Sequence, residues 1–120
     1  MSIPFPDGWT VADVEGALAC DESDELLHVP ILIALDPPDC AWAQEVCIRL
    51  AAHPHANVRG NAVLAFGHLA RTCGALDEPR VRPLIESALH DQDDYVRGQA
   101  HAAADDAGHF LGWRMEGAEG

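Results

Sequence analysis

The stretch Val58-Arg59-Gly60-Asn61-Ala62-Val63-Leu64-Ala65 returns 38 residues later as Val96-Arg97-Gly98-Gln99-Ala100-His101-Ala102-Ala103. Five of the eight positions are identical: Val58 and Val96, Arg59 and Arg97, Gly60 and Gly98, Ala62 and Ala100, Ala65 and Ala103. A single offset marks an internal repeat. Each copy follows a short polar break, residues 53–57 before the first and 91–95 before the second, and ahead of each break lies another apolar-periodic segment. One unit therefore reads helix, tight turn, helix. A period of this length with this layout predicts a stack of helical hairpins.

Working outward, the same logic places three hairpins, at about 10–35, 39–74 and 77–113, in one all-α domain over residues 1–113 with a flexible tail at 114–120. Thr10 is placed to cap the first helix, with Asp13 completing a capping box. Val11, Val14 and Leu18 form its apolar stripe. Phe5 and Trp9 are expected over that helix's start. The acidic run at residues 21–25 leads into a second helix, Leu26 to Leu35, that Pro30 kinks or delays. Asp36-Pro37-Pro38-Asp39 stops it and caps the third helix, whose inward positions are Ala43, Val46, Cys47 and Leu50. Glu45 and Arg49 are spaced as a surface pair on that helix.

The fourth helix runs from about Asn57 to Cys73 and closes at Gly74, with Val58, Ala62, Ala65, Phe66 and Leu69 inward. Gly60 and Gly67 each cost this helix up to about 1 kcal/mol relative to alanine, so they are expected where a neighbouring helix or a partner comes close. The fifth helix starts at Asp77-Glu78-Pro79. The sixth starts near Asp94, with Val96, Ala100 and Ala103 inward, and Phe110, Leu111 and Trp113 are expected to cover the open end of the core.

The pattern Asp91-x-Asp93-x-x-Val96-Arg97-x-x-Ala100 resembles the HEAT-repeat signature, in which a turn aspartate precedes Val-Arg and a small residue on the inner helix. The resemblance covers roughly residues 39–113. It implies a short α-solenoid of about three antiparallel hairpins in which Arg59 and Arg97 reach the turn carboxylates Asp91 and Asp93 and pin one unit to the next. In the middle unit His53 and His55 stand at the two aspartate positions, which leaves that ladder incomplete.

The 120 residues carry 20 acidic and 7 basic side chains, a formal charge of −13, and every basic residue is arginine. Such a field repels phosphate, so nucleic acid is a poor direct partner and a cationic protein a better one. The same excess also serves solubility. Cys20, Cys40, Cys47 and Cys73 lack C-x-x-C spacing and are read as reduced, mostly buried thiols of a cytoplasmic protein. The segment at residues 1–6 has neither a basic region nor an apolar run, so no secretory signal is expected. No apolar stretch is long enough to cross a bilayer.

His101, Asp105 and His109 fall at i, i+4 and i+8 on one helical face, but steps of about 6 Å stretch them too far for one ion. A HEAT-repeat hydroxylase family holds di-iron through adjacent His-Glu pairs, and this sequence has none. Asp91-x-Asp93 opens like a calcium loop, yet Val96 replaces the glycine and Ala102 the glutamate that such a loop needs. No phosphate-binding glycine motif or nucleophile elbow appears. The expectation is a non-enzyme with no metal and no cofactor.

What remains is a binding surface on the inner helices. Its residues are Asn61, Leu64, His68 and Arg71 from the fourth helix and Tyr95, Gln99, Ala102, Asp105, Asp106 and His109 from the sixth, with Trp113 at the end. Aromatic anchors beside carboxylates suit an arginine- or lysine-rich partner. With Phe66 to Arg71 and the closing Phe110 to Trp113, the chain looks like the compact bacterial HEAT-repeat proteins, some of which are encoded beside polymorphic toxins. That resemblance implies an immunity protein that neutralises a basic toxin, such as a nuclease of a contact-dependent inhibition system, acting as a monomer or in a one-to-one complex. The alternatives are a general adaptor or scaffold and a metal-binding HEAT-like enzyme.

Overall fold

The computed structural model describes residues 9–114, and among these the chain is all-helical. Thr10 opens α1 (Val11–Cys20) through the expected capping box, its hydroxyl accepting from the Asp13 amide while the Asp13 carboxylate accepts from the Thr10 amide. Val14, Ala17 and Leu18 are buried, whereas Val11, expected inward, is 40 % exposed at the first helical position. The second helix is split into α2 (Ser23–Leu26) and α3 (Val29–Leu35), with Pro30 in the first turn of α3, where its missing N–H costs no helical bond. Asp39 then caps α4 (Cys40–Leu50) by accepting from the Trp42 amide at 2.8 Å.

The longest helices are α5 (Ala56–Cys73) and α7 (Asp94–Leu111), joined through α6 (Glu78–Ala88). Gly74 ends α5 and Gly112 ends α7 in the left-handed region, at φ 71° and 73°. That conformation strains any residue with a Cβ. The five inward positions expected on α5 are all buried completely, and Phe66 is the largest fully buried side chain of the core.

Contacts between helices repeat the offset seen in the sequence. Asn61 donates to the Leu27 carbonyl and Thr72 to the Ala34 carbonyl, so α3 and α5 run parallel. Gly60 lies against Tyr95 and Val96 while Gly67 lies against Ala103 and Asp106, so α5 and α7 also run parallel. On the other side Trp42 of α4 donates to Glu15 of α1 at 2.9 Å, and Gln44 of α4 accepts from the Asp77 amide ahead of α6. The result is a compact globule with a radius of gyration of 13.4 Å, the size expected of a single domain of this length.

The two interior glycines of α5 earn their places. A Cβ on Gly67 would lie 2.7 Å from Asp106 Oδ2 and 3.2 Å from the Ala103 Cα, and one on Gly60 would lie 2.9 Å from the Tyr95 ring. Gly67→Ala is expected to destabilise by about 1–2 kcal/mol despite alanine's better helix propensity, because α7 must move off α5. Urea unfolding checks this, and a stabilised variant would contradict the close approach.

Several expectations are corrected. Glu45 pairs with Arg80 of α6, at 2.5 and 2.9 Å, and not with Arg49, which donates to the Leu18 carbonyl at 3.4 Å. An arginine reached from the neighbouring helix offers a two-pronged contact that the i,i+4 pair lacks. Phe110 is 42 % exposed and does not cover the core; Trp113 is packed against it instead. Cys40 and Cys73 form a disulfide, with Cα atoms 6.1 Å apart, so the four cysteines are not all thiols. Cys20 is exposed, and burial of Cys47 pushes its thiol well above the usual range. Trp9 is packed against the core and stacks on Trp42 with ring centres 6.4 Å apart. Phe5 and the tail at 115–120 lie outside the described residues.

Candidate functional site

The turn between α6 and α7 ties the last two units together. Arg59 donates from Nε and Nη2 to the two carboxylate oxygens of Asp91, at 2.8 and 3.0 Å, and from Nη1 to the carbonyls of His53 and Pro54. Both side chains are four-fifths or more buried. The Arg59 guanidinium beside it holds the Asp91 carboxyl below the usual range, against an opposing contribution from burial and with help from the Asp93 amide. Asp93 does not join this pair; it caps α7 by accepting from the amides of Tyr95 and Val96. Arg97 repeats the backbone half of the Arg59 arrangement, donating to the Asp91 carbonyl at 2.6 Å, and its other end meets Asp94 of its own helix.

In the preceding unit the rung is present with its polarity reversed. His53 stands 38 residues before Asp91, and Asp21 stands 38 residues before Arg59. His53 Nδ1 accepts from the His55 amide at 3.0 Å, as Asp91 accepts from Asp93, which leaves Nε2 to donate to Asp21 at 2.9 Å. Asp21 supplies the carboxylate for the rung at which His53 stands in the aspartate position. Applying the repeat offset to Arg59 would have found it.

Asp91 gives a pH prediction. Its folded pKa is depressed, so the stability it contributes is present above the ordinary aspartate value of about 3.9 and is lost as pH falls through the folded value. Asp91→Asn is expected to cost about 1–3 kcal/mol at neutral pH, because Arg59 loses its counter-charge, and to converge with the parent in acid. Urea midpoints at pH 7 and pH 3 test it; equal losses at both would remove the ion pair from the explanation.

The residues expected to bind a partner fall into separate groups. Asn61, Tyr95 and Gln99 meet where α3, α5 and α7 begin: the Tyr95 hydroxyl donates to Asn61 Oδ1, and Gln99 Nε2 donates to Tyr95 Oη at 2.9 Å. Asn61 passes the chain on to the Leu27 carbonyl at 2.8 Å. The Tyr95 ring rests on Gly60 with 43 % of its surface exposed, so it is held rigid and still presented to solvent. Further along the same seam lie His68, Arg71 and Asp106. Burial lowers the His68 pKa, Arg71 lowers it further and Asp106 opposes both, so His68 is kept toward its neutral form. Leu64 and Ala102 line this seam, half-buried.

Asp105 and His109 do not join the seam. They are exposed on the side of α7 turned away from α5, as is His101, and the His109 ring meets Phe110 edge-on. Trp113 sits past the C-terminus of α7. Among the described residues no three His, Cys, Asp or Glu side chains converge where they would hold a metal ion. Among the described residues, shallow hollows elsewhere include one of about 300 Å³ beside Trp9 and Asp36 and one of about 400 Å³ beside Arg49 and His53. No helix among the described residues is long and apolar enough to cross a membrane.

The arginines are largely spent inside the molecule. Arg59, Arg80, Arg82 and Arg97 each contact a carboxylate of this chain, while Glu22, Asp24, Asp36 and Asp105 are exposed. The outward field is therefore negative, and the seam between α5 and α7 offers one rigid aromatic ring within it. No family model, curated protein or solved structure matches the chain.

Proposed function

We propose that this chain is a short HEAT-like α-solenoid that acts without catalysis as a protein-binding module, and that its partner is a cationic protein engaged along the α5/α7 seam. The observation that carries this reading is the disposition of charge: 20 carboxylates against 7 arginines, with most of the arginines paired internally. A strongly negative surface draws in a basic partner and speeds the encounter. The Tyr95, Asn61 and Gln99 network supports it, because a pre-ordered aromatic anchor loses little entropy on binding.

The most specific form of the proposal is an immunity protein, acting in the cytoplasm, that occupies a basic toxin such as a nuclease of a contact-dependent inhibition system. Asp106 on the seam would stand in for a phosphate in such a site, while the exposed carboxylates elsewhere on the surface supply the long-range attraction. The complex is one partner per chain, with a dissociation constant of about a nanomolar or below.

The test is a pull-down from lysate of the native source, eluted with salt, identified by mass spectrometry and assayed for nuclease activity. A basic protein in one-to-one ratio that becomes nucleolytic on release supports the toxin-inhibitor reading. A broad set of weakly held partners supports an adaptor instead. If Tyr95→Ala combined with Asp106→Ala binds the recovered partner unchanged, the seam is not the interface.

A further inference from the structure

The edge of α7 turned away from α5 carries the residues that stand 38 positions after those with which α5 receives α7. On α5, Gly60 lies under the Tyr95 ring and Arg59 takes the carboxylate of Asp91. On α7 the corresponding residues are Gly98 and Arg97. A Cβ on Gly98 would meet no atom of the described residues within 4 Å, so none of them requires a glycine at this interior helical position. Arg97 makes the backbone bond that Arg59 makes, but among the described residues no carboxylate outside its own helix forms an ion pair with it. It turns to Asp94, whose side chain is 93 % exposed. The seat is formed, and within the described residues nothing sits on it.

We propose that a second copy of this chain sits on it, the two α7 helices packing antiparallel about a two-fold axis beside His101. The charges along the edge are self-complementary in that arrangement. Arg97 and Asp105 are symmetric about position 101, and Asp94 and His109 about the point between 101 and 102. A two-fold contact repeats each pairing twice. Asp105 of the second copy supplies to Arg97 the carboxylate that Asp91 supplies to Arg59, and the absent side chain at Gly98 lets the helices approach. Along this edge the two carboxylates of Asp94 and Asp105 are set against Arg97, and His101 and His109 add no negative charge. Repulsion between copies is therefore weaker here than over the rest of a surface with 20 acids and 7 bases. The α5/α7 seam stays open to a different partner.

One helix pair buries a small interface, so the dimer is weak, with a dissociation constant of about 10–100 µM. Sedimentation of the full chain, over about 5–500 µM at 0.15 M salt where long-range repulsion is screened, tests it. A reversible dimer is expected. Asp105→Arg and Gly98→Leu, both at exposed positions, are each expected to weaken it more than ten-fold with helical content unchanged. Arg97→Glu is expected to be monomeric alone and to form a heterodimer when mixed with Asp105→Arg, since the swapped charges then meet. A monomer at every concentration overturns the proposal, as does a dimer that survives both Asp105→Arg and Gly98→Leu. Folded Arg97→Glu and Asp105→Arg variants that do not recover the dimer on mixing overturn it too.

Discussion

Phe66→Ala is expected to cost about 3–5 kcal/mol of folding stability. Phe66 has no solvent exposure and is the largest fully buried side chain, on the helix against which α3, α4, α6 and α7 all pack. Truncation there removes apolar area and opens a cavity that four neighbouring helices would have to shift to fill. The stability of a domain this size is about 5–15 kcal/mol, so the variant would stand close to unfolding at physiological temperature. Denaturant unfolding of parent and variant measures the difference. A loss under about 1 kcal/mol would mean that the site collapses freely and that α5 is not the keystone of the core.

Removing the bridge between Cys40 and Cys73 is expected to cost about 3–4 kcal/mol, because the crosslink closes a loop with a sequence separation of 33 and restricts the unfolded chain. It joins the first residue of α4 to the last of α5, so its loss frees the outer ends of that hairpin while leaving the packed interior in place. Cys40→Ser combined with Cys73→Ser, compared with the parent by thermal unfolding with and without reductant, checks this. Reductant should lower the parent's Tm toward that of the variant and leave the variant unmoved. The same pair of curves bears on the proposed cytoplasmic role, since that compartment keeps ordinary disulfides reduced. The reduced chain must remain folded for the role to stand.

The repeated Val-Arg-Gly stretch led correctly to two long, parallel helices because periodicity and offset are local properties of a sequence. Once both copies are helices preceded by equivalent turns, Gly60 and Gly98, or Arg59 and Arg97, must occupy equivalent places on their own helix. Caps were legible for the same reason. Thr10 with Asp13, Asp39 before Trp42, and Gly74 after Cys73 each act within four residues. The disulfide was not legible, because nothing at positions 40 and 73 distinguishes two cysteines that meet from two that do not. Glu45 illustrates the same limit: its local partner Arg49 was visible in the sequence, while its true partner Arg80 comes from a different helix, α6.

For the binding surface the division is sharper. Helical spacing placed Asn61, His68 and Arg71 on one flank of α5, and Tyr95, Gln99 and Asp106 on one flank of α7. It could not say that the two flanks meet in a hydrogen-bonded seam. Nor could spacing say which of Asp105 and Asp106, neighbours in sequence, meets α5. Their 100° separation around the helix leaves one facing solvent and the other against Gly67. The sequence by itself determined an all-helical chain, its principal breaks, its buried stripes and its negative charge, all of which follow from residue type and short-range order. The tertiary structure decided which cysteines pair and which carboxylates the arginines take. It also decided that Asp21 completes the rung at His53, because those outcomes depend on which turns the packing of the helices brings together.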